Sequence, residues 1–228
     1  MKTVILRPAW NRCRSNLKAN IYTGTFISLA IGLVCIGYYR FDRLGNILDH
    51  LGNLKSSYGF FYSAVSTAFF GGIIPYTVLA FRNNVPHKKR RSWFLFFVVF
   101  WAIKGIEVDG FYRLQNYFYG ESQDFRIILY KVLTDMFVYC VFWSAPTTAI
   151  FYGWKKAGFV WVGLRELCSP DVLISESAFL LFTTWIIWIP AVSIIYSMPS
   201  NLQIPCFNLT LCFFVIVVSF IEPRKSFP

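Results

Sequence analysis

The sequence predicts an all-α protein, a polytopic integral membrane helix bundle of about six transmembrane helices with several proline kinks. Of its 228 residues, 56% are hydrophobic and 20% aromatic, whereas only 14% are charged. The apolar residues form six runs, five of which reach roughly the 20 residues that a helix needs to cross a bilayer. The formal charge of +11 is concentrated in short segments between these runs. This distribution is typical of topology signals and not of a nucleic-acid-binding face, so no nucleic acid is expected as a partner.

The chain divides into a basic N-terminal tail of residues 1–20, a single transmembrane helical bundle of residues 21–221 and a short C-terminal tail of residues 222–228. The first segment has five cations, no acid and no apolar core that would make a signal peptide. We therefore expect a cytoplasmic tail, with a mitochondrial presequence as the alternative.

The first apolar run, residues 21–39, carries Gly24, Ser28 and Gly32 at a spacing that lets another helix approach closely. Residues 40–57 mix both signs of charge and are expected to form a loop.

Glycine and proline inside the runs predict bent helices, because proline removes a backbone donor and glycine weakens the helix. The predicted kink positions are Gly71, Gly72 and Pro75 in the second run (residues 58–81), and Pro146, Pro190 and Pro205 in later runs.

Residues 82–91 give the strongest orientation signal, since they contain five cations and no acid. Such a loop is placed on the cytoplasmic or matrix side, and its cations suit anionic lipid headgroups. These cations are Arg82, Lys88, Lys89, Arg90 and Arg91.

The third run starts at Ser92 and is purely apolar only to Ile103, so its helix must continue through charged residues toward Tyr112. Residues 107–125 hold one cation against four acids and mark the opposite side. The third run and the fourth, residues 126–153, therefore form a hairpin that brings six charged residues to one leaflet. These candidate pore residues are Lys104, Glu107, Asp109, Arg113, Lys131 and Asp135.

Two interpretations of this polar cluster stay open. The charges could line a water-filled path, or they could lock neighbouring helices together while Lys131 extends to the headgroups. In either case we expect Asp135 to lie within ion-pair reach of Lys131 or Lys104, because an unpaired carboxylate in a membrane is costly.

Residues 177–198 and 202–221 form the last two runs, separated by a short turn. The alternation of charge along the chain fits six crossings with both termini on the basic side. The fifth run could instead lie in the interface, since Trp185, Trp188 and Pro190 also suit the headgroup region.

Catalytic, metal and cofactor sites are not predicted. The six cysteines form no CxxC pair, and His50 and His87 lie in expected loops without partners at ligand spacing. Nucleophile, nucleotide-loop and metal-box motifs are missing from the sequence. Glu107, Asp109 and Asp135 keep an intramembrane enzyme as a third alternative.

Three spaced motifs resemble the Mpv/PMP family of small membrane proteins. They are Phe111-Tyr112-Arg113, the segment from Lys131 to Asp135 followed by Pro146, and Trp185-xx-Trp188-x-Pro190 followed by Met198-Pro199. The resemblance runs from Trp101 to the C-terminus. It departs from the family pattern at Gly105-Ile106, Asp109 and Met136, where the family has glycine-proline, histidine and glutamine.

The resemblance implies a channel or pore-like protein for small metabolites, with a bacterial inner membrane as the favoured location and a mitochondrial or peroxisomal membrane as the alternative. The expected partners are the lipid bilayer, with anionic lipids at the 82–91 loop, and small solutes. A homo-oligomer is compatible with the sequence. A non-conducting scaffold or binding protein is the alternative function.

Overall fold

The computed structural model describes residues 17–221, with side chains for residues 20–214. The predicted C-terminal tail and residues 1–16 of the predicted N-terminal tail lie outside this range. Within it, 90% of residues are helical and none is in a strand. The predicted all-α class is therefore confirmed.

Nine α-helices are formed by the described residues. They are α1 (Leu17–Arg40), α2 (Asp42–Thr67), α3 (Ile74–Phe81), α4 (Arg90–Tyr119), α5 (Phe125–Thr134), α6 (Ala145–Lys156), α7 (Trp161–Leu167), α8 (Pro170–Tyr196) and α9 (Ser200–Ile221). A π-helical segment, Ala68–Ile73, joins α2 to α3, and a second one, Asp135–Ser144, joins α5 to α6. A short 3₁₀ turn, His87–Lys89, precedes α4.

Three helical stretches in the described residues are long and apolar enough to cross a membrane. They are Asn20–Arg40, Asp42–Phe81 and Pro170–Tyr196, in which the most apolar 18-residue segments have mean hydropathies of 1.7, 1.6 and 2.1. Large apolar side chains also cover the outside of the bundle, among them Leu29, Leu33, Phe61, Val99, Ile103 and Phe142, each more than half exposed. A surface of this kind suits contact with lipid acyl chains.

The prediction of a loop at residues 40–57 is wrong, because α2 already begins at Asp42. Leu48 is almost completely buried, and Leu44 and Leu51 pack beside it at helical spacing. His50 consequently lies on a helix. The charges in this segment hid its amphipathic pattern.

The course of α2 changes at Gly59, whose φ of 54° and ψ of −125° are not helical. A residue with a side chain is strained in that conformation, whereas glycine adopts it readily. The sequence prediction placed the bend of this run further on.

The glycines and prolines that were predicted to kink the helices lie in two different settings. Gly71 and Gly72 are in the first π-helical segment, and Pro75 follows in the first turn of α3. Pro146 is likewise in the first turn of α6, directly after the second π-helical segment. Pro190 and Pro205 lie inside α8 and α9.

Close contacts at two glycines show which helices pack against each other in the bundle. A Cβ at Gly105 on α4 would overlap the carbonyl oxygen of Ser63 on α2, and one at Gly24 on α1 would lie 2.9 Å from the carbonyl oxygen of Ile186 on α8. The small residues at these positions therefore allow α4 to pack on α2 and α1 to pack on α8.

Candidate functional site

A cavity of about 870 Å³ lies between α4, the α5–α6 stretch, α7, α8 and α9. Its volume falls in the range of small-molecule binding sites, roughly 300–1,000 Å³. Lys156, Glu166 and Val172 line its mouth and are exposed, whereas Tyr112 and Asp135 line its inner end and are buried. The cavity is thus open at the end of the bundle where α6 finishes and α8 begins.

The cavity runs along most of the α5–α6 stretch. Asp135 and Lys156 both line it and are 21 residues apart, which corresponds to roughly 30 Å of helix at about 1.5 Å per residue. The hydrocarbon core of a bilayer has about the same thickness. The cavity is therefore a deep vestibule entered from the end that carries the double lysine.

Aromatic and aliphatic side chains form most of its wall. The ring centroids of Phe100 and Tyr152 are 5.3 Å apart, and those of Trp188 and Phe207 are 5.5 Å apart. Met136 and Leu211 add aliphatic surface. A solute inside would meet a mainly apolar surface with a few polar groups.

A chain of hydrogen bonds begins at Asp135, at the buried end of the cavity lining. The hydroxyl group of Tyr196 donates to Oδ2 of Asp135 at 2.6 Å and accepts from Nε2 of Gln115 at 2.7 Å. The thiol of Cys140 lies 3.7 Å from Oδ1 of the same carboxylate. These contacts join α4, the second π-helical segment and α8.

The expected ion pair at Asp135 is not formed. Lys131 instead donates from Nζ to Oδ1 of Asn116 at 2.6 Å, and Lys104 forms its ion pair with Glu107. Among the described residues, the carboxylate of Asp135 has Tyr196 and Cys140 as its partners and no cation. The prediction failed because Lys131 and Asp135, although one turn apart, reach different helices.

Lys104 lines the cavity and is neutralised by its own helix. Its Nζ is 2.7 Å from Oε1 of Glu107 and 3.0 Å from Oγ1 of Thr147. The hydroxyl of Tyr139 also donates to Oε1 of Glu107. Glu107 itself is not part of the cavity lining.

Asp109 is the centre of a separate cluster between α2 and α4. Its Oδ2 is 3.0 Å from Nζ of Lys55 and accepts from Oγ of Ser63 at 2.8 Å. Its Oδ1 accepts from Nε of Arg113 at 3.1 Å, and the guanidinium of Arg113 lies 4.4 Å from the ring centroid of Phe60. This cluster does not line the cavity.

The six charged residues are therefore divided among different environments. Lys104 and Asp135 line the cavity, whereas Glu107, Asp109, Arg113 and Lys131 do not. The sequence interpretation missed the polar partners Lys55, Ser63, Gln115, Asn116 and Tyr196. Lys55 could have been predicted as a partner within the bundle only if residues 42–58 had been interpreted as a helix.

A buried lysine near the mouth was also missed. Nζ of Lys155 lies 4.5 Å from the ring centroids of Trp93 and Phe97 and 4.6 Å from that of Tyr152. The side chain is buried, and aromatic faces surround its ammonium group.

The described residues contain no group of three or more His, Cys, Asp or Glu side chains that could hold a metal ion. The cysteines described are free thiols at positions 35, 140, 168, 206 and 212.

The fold is all-helical, with three helical stretches long and apolar enough to cross a membrane and a cavity of about 870 Å³ between its helices. No family model matches the chain, and neither a curated protein nor a solved structure matches it. The resemblance to the Mpv/PMP family therefore stays a prediction that rests on the motifs given above.

Proposed function

We propose that this protein spans the membrane six times and passes small solutes through the vestibule, which the Asp135–Tyr196–Gln115 chain closes in the present conformation. The observation that carries the proposal is the depth of the cavity. Its lining extends over about the thickness of a bilayer core, from the exposed Lys156 to the buried Asp135, which is hydrogen-bonded to Tyr196.

Six crossings are supported by the order and length of the helices. Besides the three apolar stretches, α4 has 30 residues and α9 has 22 residues, and the α5–α6 stretch is continuous through its π-helical segment. Charges inside α4 have partners nearby, which lowers the cost of placing them in a membrane. The proposed bundle covers residues 21–221, with both termini and the 82–91 loop on one side.

The closed end has features that could allow it to open. The second π-helical segment lies beside it, and π-helical turns are frequent at functional sites and helix bends. The indole of Trp185 donates to the backbone carbonyl of Met136 at 2.8 Å, which ties this segment to α8. A change in the segment would move Asp135 relative to Tyr196.

A non-conducting scaffold or binding protein is the second candidate. The cluster around Asp109 favours it, because these charges join α2 to α4 without facing the cavity. For the location we propose the bacterial inner membrane, with a mitochondrial or peroxisomal membrane as the alternative and anionic lipids at the 82–91 loop.

The test is release of solutes of graded size from liposomes that contain the purified protein. We expect release of small solutes and retention of large ones. Val108→Trp should slow release because Val108 lines the cavity, whereas Val99→Trp on the same helix should not, since Val99 is 53% exposed on the outer surface. Correct folding of both variants is checked by size-exclusion chromatography. Retention of every solute by the wild-type protein would overturn the transport proposal in favour of the scaffold.

A further inference from the structure

We propose that the vestibule selects lipophilic organic cations and holds their positive charge at Asp135. This inference rests on the proposed function, since it names the solute class of the same cavity.

The first argument is the difference in ion-pair partners between Asp135 and the two carboxylates of α4. Asp109 has two cationic partners and Glu107 has one, whereas Asp135 has none among the described residues. Asp135 is only 4% exposed and lines the cavity. A buried charge without a counter-charge is costly, and a cation bound in the cavity would supply that counter-charge.

The second argument concerns Lys104, which also lines the inner part of the cavity. Its ammonium is 2.7 Å from the carboxylate of Glu107, so the pair adds little net charge. The exposed charged lining residues near the mouth, Lys156 and Glu166, have opposite signs. Asp135 is therefore the charge of the inner lining that the Lys104–Glu107 pair does not balance, and it would attract a cation.

The third argument is the aromatic wall. Tyr112, Trp188 and Phe207 line the cavity, and the ring of Tyr112 lies 5.1 Å from that of Tyr196, the partner of Asp135. Aromatic faces attract ammonium-type cations that carry apolar groups, most strongly away from water. The ammonium group of Lys155 is another cation that lies close to aromatic faces in this bundle.

An anionic amphiphile bound through Lys104 is the competing possibility. The two possibilities are separated by tetraphenylphosphonium and tetraphenylborate, which have the same shape and opposite charge. Binding to the purified full-length protein is measured by equilibrium dialysis, with quenching of tryptophan fluorescence as a second readout because Trp101 and Trp188 line the cavity.

We expect saturable binding of tetraphenylphosphonium and, in a separate titration, weaker binding of tetraphenylborate. Asp135→Asn should weaken tetraphenylphosphonium binding at least tenfold. Glu121→Gln is the matched control, because it also replaces a carboxylate by an amide but is exposed and outside the cavity. Its binding should equal that of the wild-type protein.

Equal or tighter binding of tetraphenylborate, or unchanged binding in folded Asp135→Asn, would overturn the inference. The comparison of the two probes needs only the wild-type protein, so it decides the matter even where Asp135→Asn does not fold. The result is also separable from the transport proposal. Saturable cation binding without solute release would remove transport alone, whereas solute release with a preference for tetraphenylborate would remove the cation site alone.

Discussion

Tyr196 and Asp135, 61 residues apart in sequence, are joined by a 2.6 Å hydrogen bond at the inner end of the vestibule. The same phenol accepts from Gln115, so one hydroxyl group connects α8 to both α4 and the second π-helical segment. Asp135 lines the vestibule, and in our proposal this connection closes it. Removal of this one hydroxyl group should therefore affect both stability and solute passage.

Tyr196→Phe should speed solute release and lower stability. The ring can still pack on Tyr112, but Asp135 and Gln115 each lose a buried partner, which typically costs about 1–3 kcal/mol. Release from liposomes and thermal unfolding in detergent measure the two effects. Tyr76→Phe is the control, since it also removes a hydrogen-bonded hydroxyl, which donates to the carbonyl of Arg90, but Tyr76 does not line the cavity. Slower release in Tyr196→Phe would show that this residue is not part of a barrier.

Asp109→Asn should destabilise the protein by about 3–5 kcal/mol, because it leaves Lys55 buried beside a neutral side chain. Asp49→Asn on α2 removes the same charge from an exposed carboxylate that accepts from Tyr38, and it should cost less than about 1 kcal/mol. Chemical unfolding in mixed micelles compares the two variants. Similar stabilities would mean that the Asp109 cluster does not hold α2 and α4 together.

Gly105→Ala should disrupt the packing of α4 on α2, because the added Cβ would overlap the Ser63 carbonyl oxygen. Gly110→Ala, five residues further along α4, places its Cβ 3.8 Å from the Phe60 ring, which is ordinary contact. Since alanine is the better helix former by about 1 kcal/mol, Gly110→Ala should be neutral or stabilising. The folded fraction after extraction in detergent reports both effects. A well-folded Gly105→Ala protein would be inconsistent with this helix contact.

Features that depend on neighbours along the chain were accessible from the sequence. The continuation of the third run through Lys104 to Tyr112 is confirmed by α4, which ends at Tyr119. The short turn between the last two runs is also confirmed, since α8 ends at Tyr196 and α9 begins at Ser200. Length, hydropathy and charge are enough for such predictions.

Features that depend on contacts between helices were not accessible. Asp135 has Lys131 one turn away, yet its carboxylate accepts a hydrogen bond from Tyr196 on another helix. Lys55 pairs with Asp109 across 54 positions, and it had been assigned to a loop. The break at Gly59 depends on the backbone conformation of a single residue, which composition does not reveal. The rotation of each helix decides these pairs, and sequence spacing alone does not determine it.

Six crossings predict which loops share a side of the membrane. In a cysteine-free background, His87→Cys and Ser226→Cys should react with an impermeant maleimide from one side, and Ser122→Cys from the other. His87 and Ser122 are both exposed, so accessibility does not limit the comparison. Labelling of His87→Cys and Ser226→Cys from opposite sides would require an odd number of crossings between them, and the six-helix arrangement would be wrong.

Lys104→Gln should shift solute preference further toward cations. Lys104 lines the vestibule and balances Glu107, so its removal leaves that carboxylate without its cation, with Tyr139 still donating to it. Charges act strongly over short distances in a site of low dielectric constant, and a change of about 1.4 kcal/mol alters a rate ratio about tenfold. The measurement is the ratio of release rates of tetramethylammonium and methanesulfonate from liposomes.

Arg113→Gln is the control for Lys104→Gln. It removes the same charge from a side chain that is 51% exposed and outside the cavity, so it should leave the ratio nearly unchanged. An equal shift in both variants would indicate a response to the total charge of the protein, and an unchanged ratio in folded Lys104→Gln would place the solute path away from Lys104.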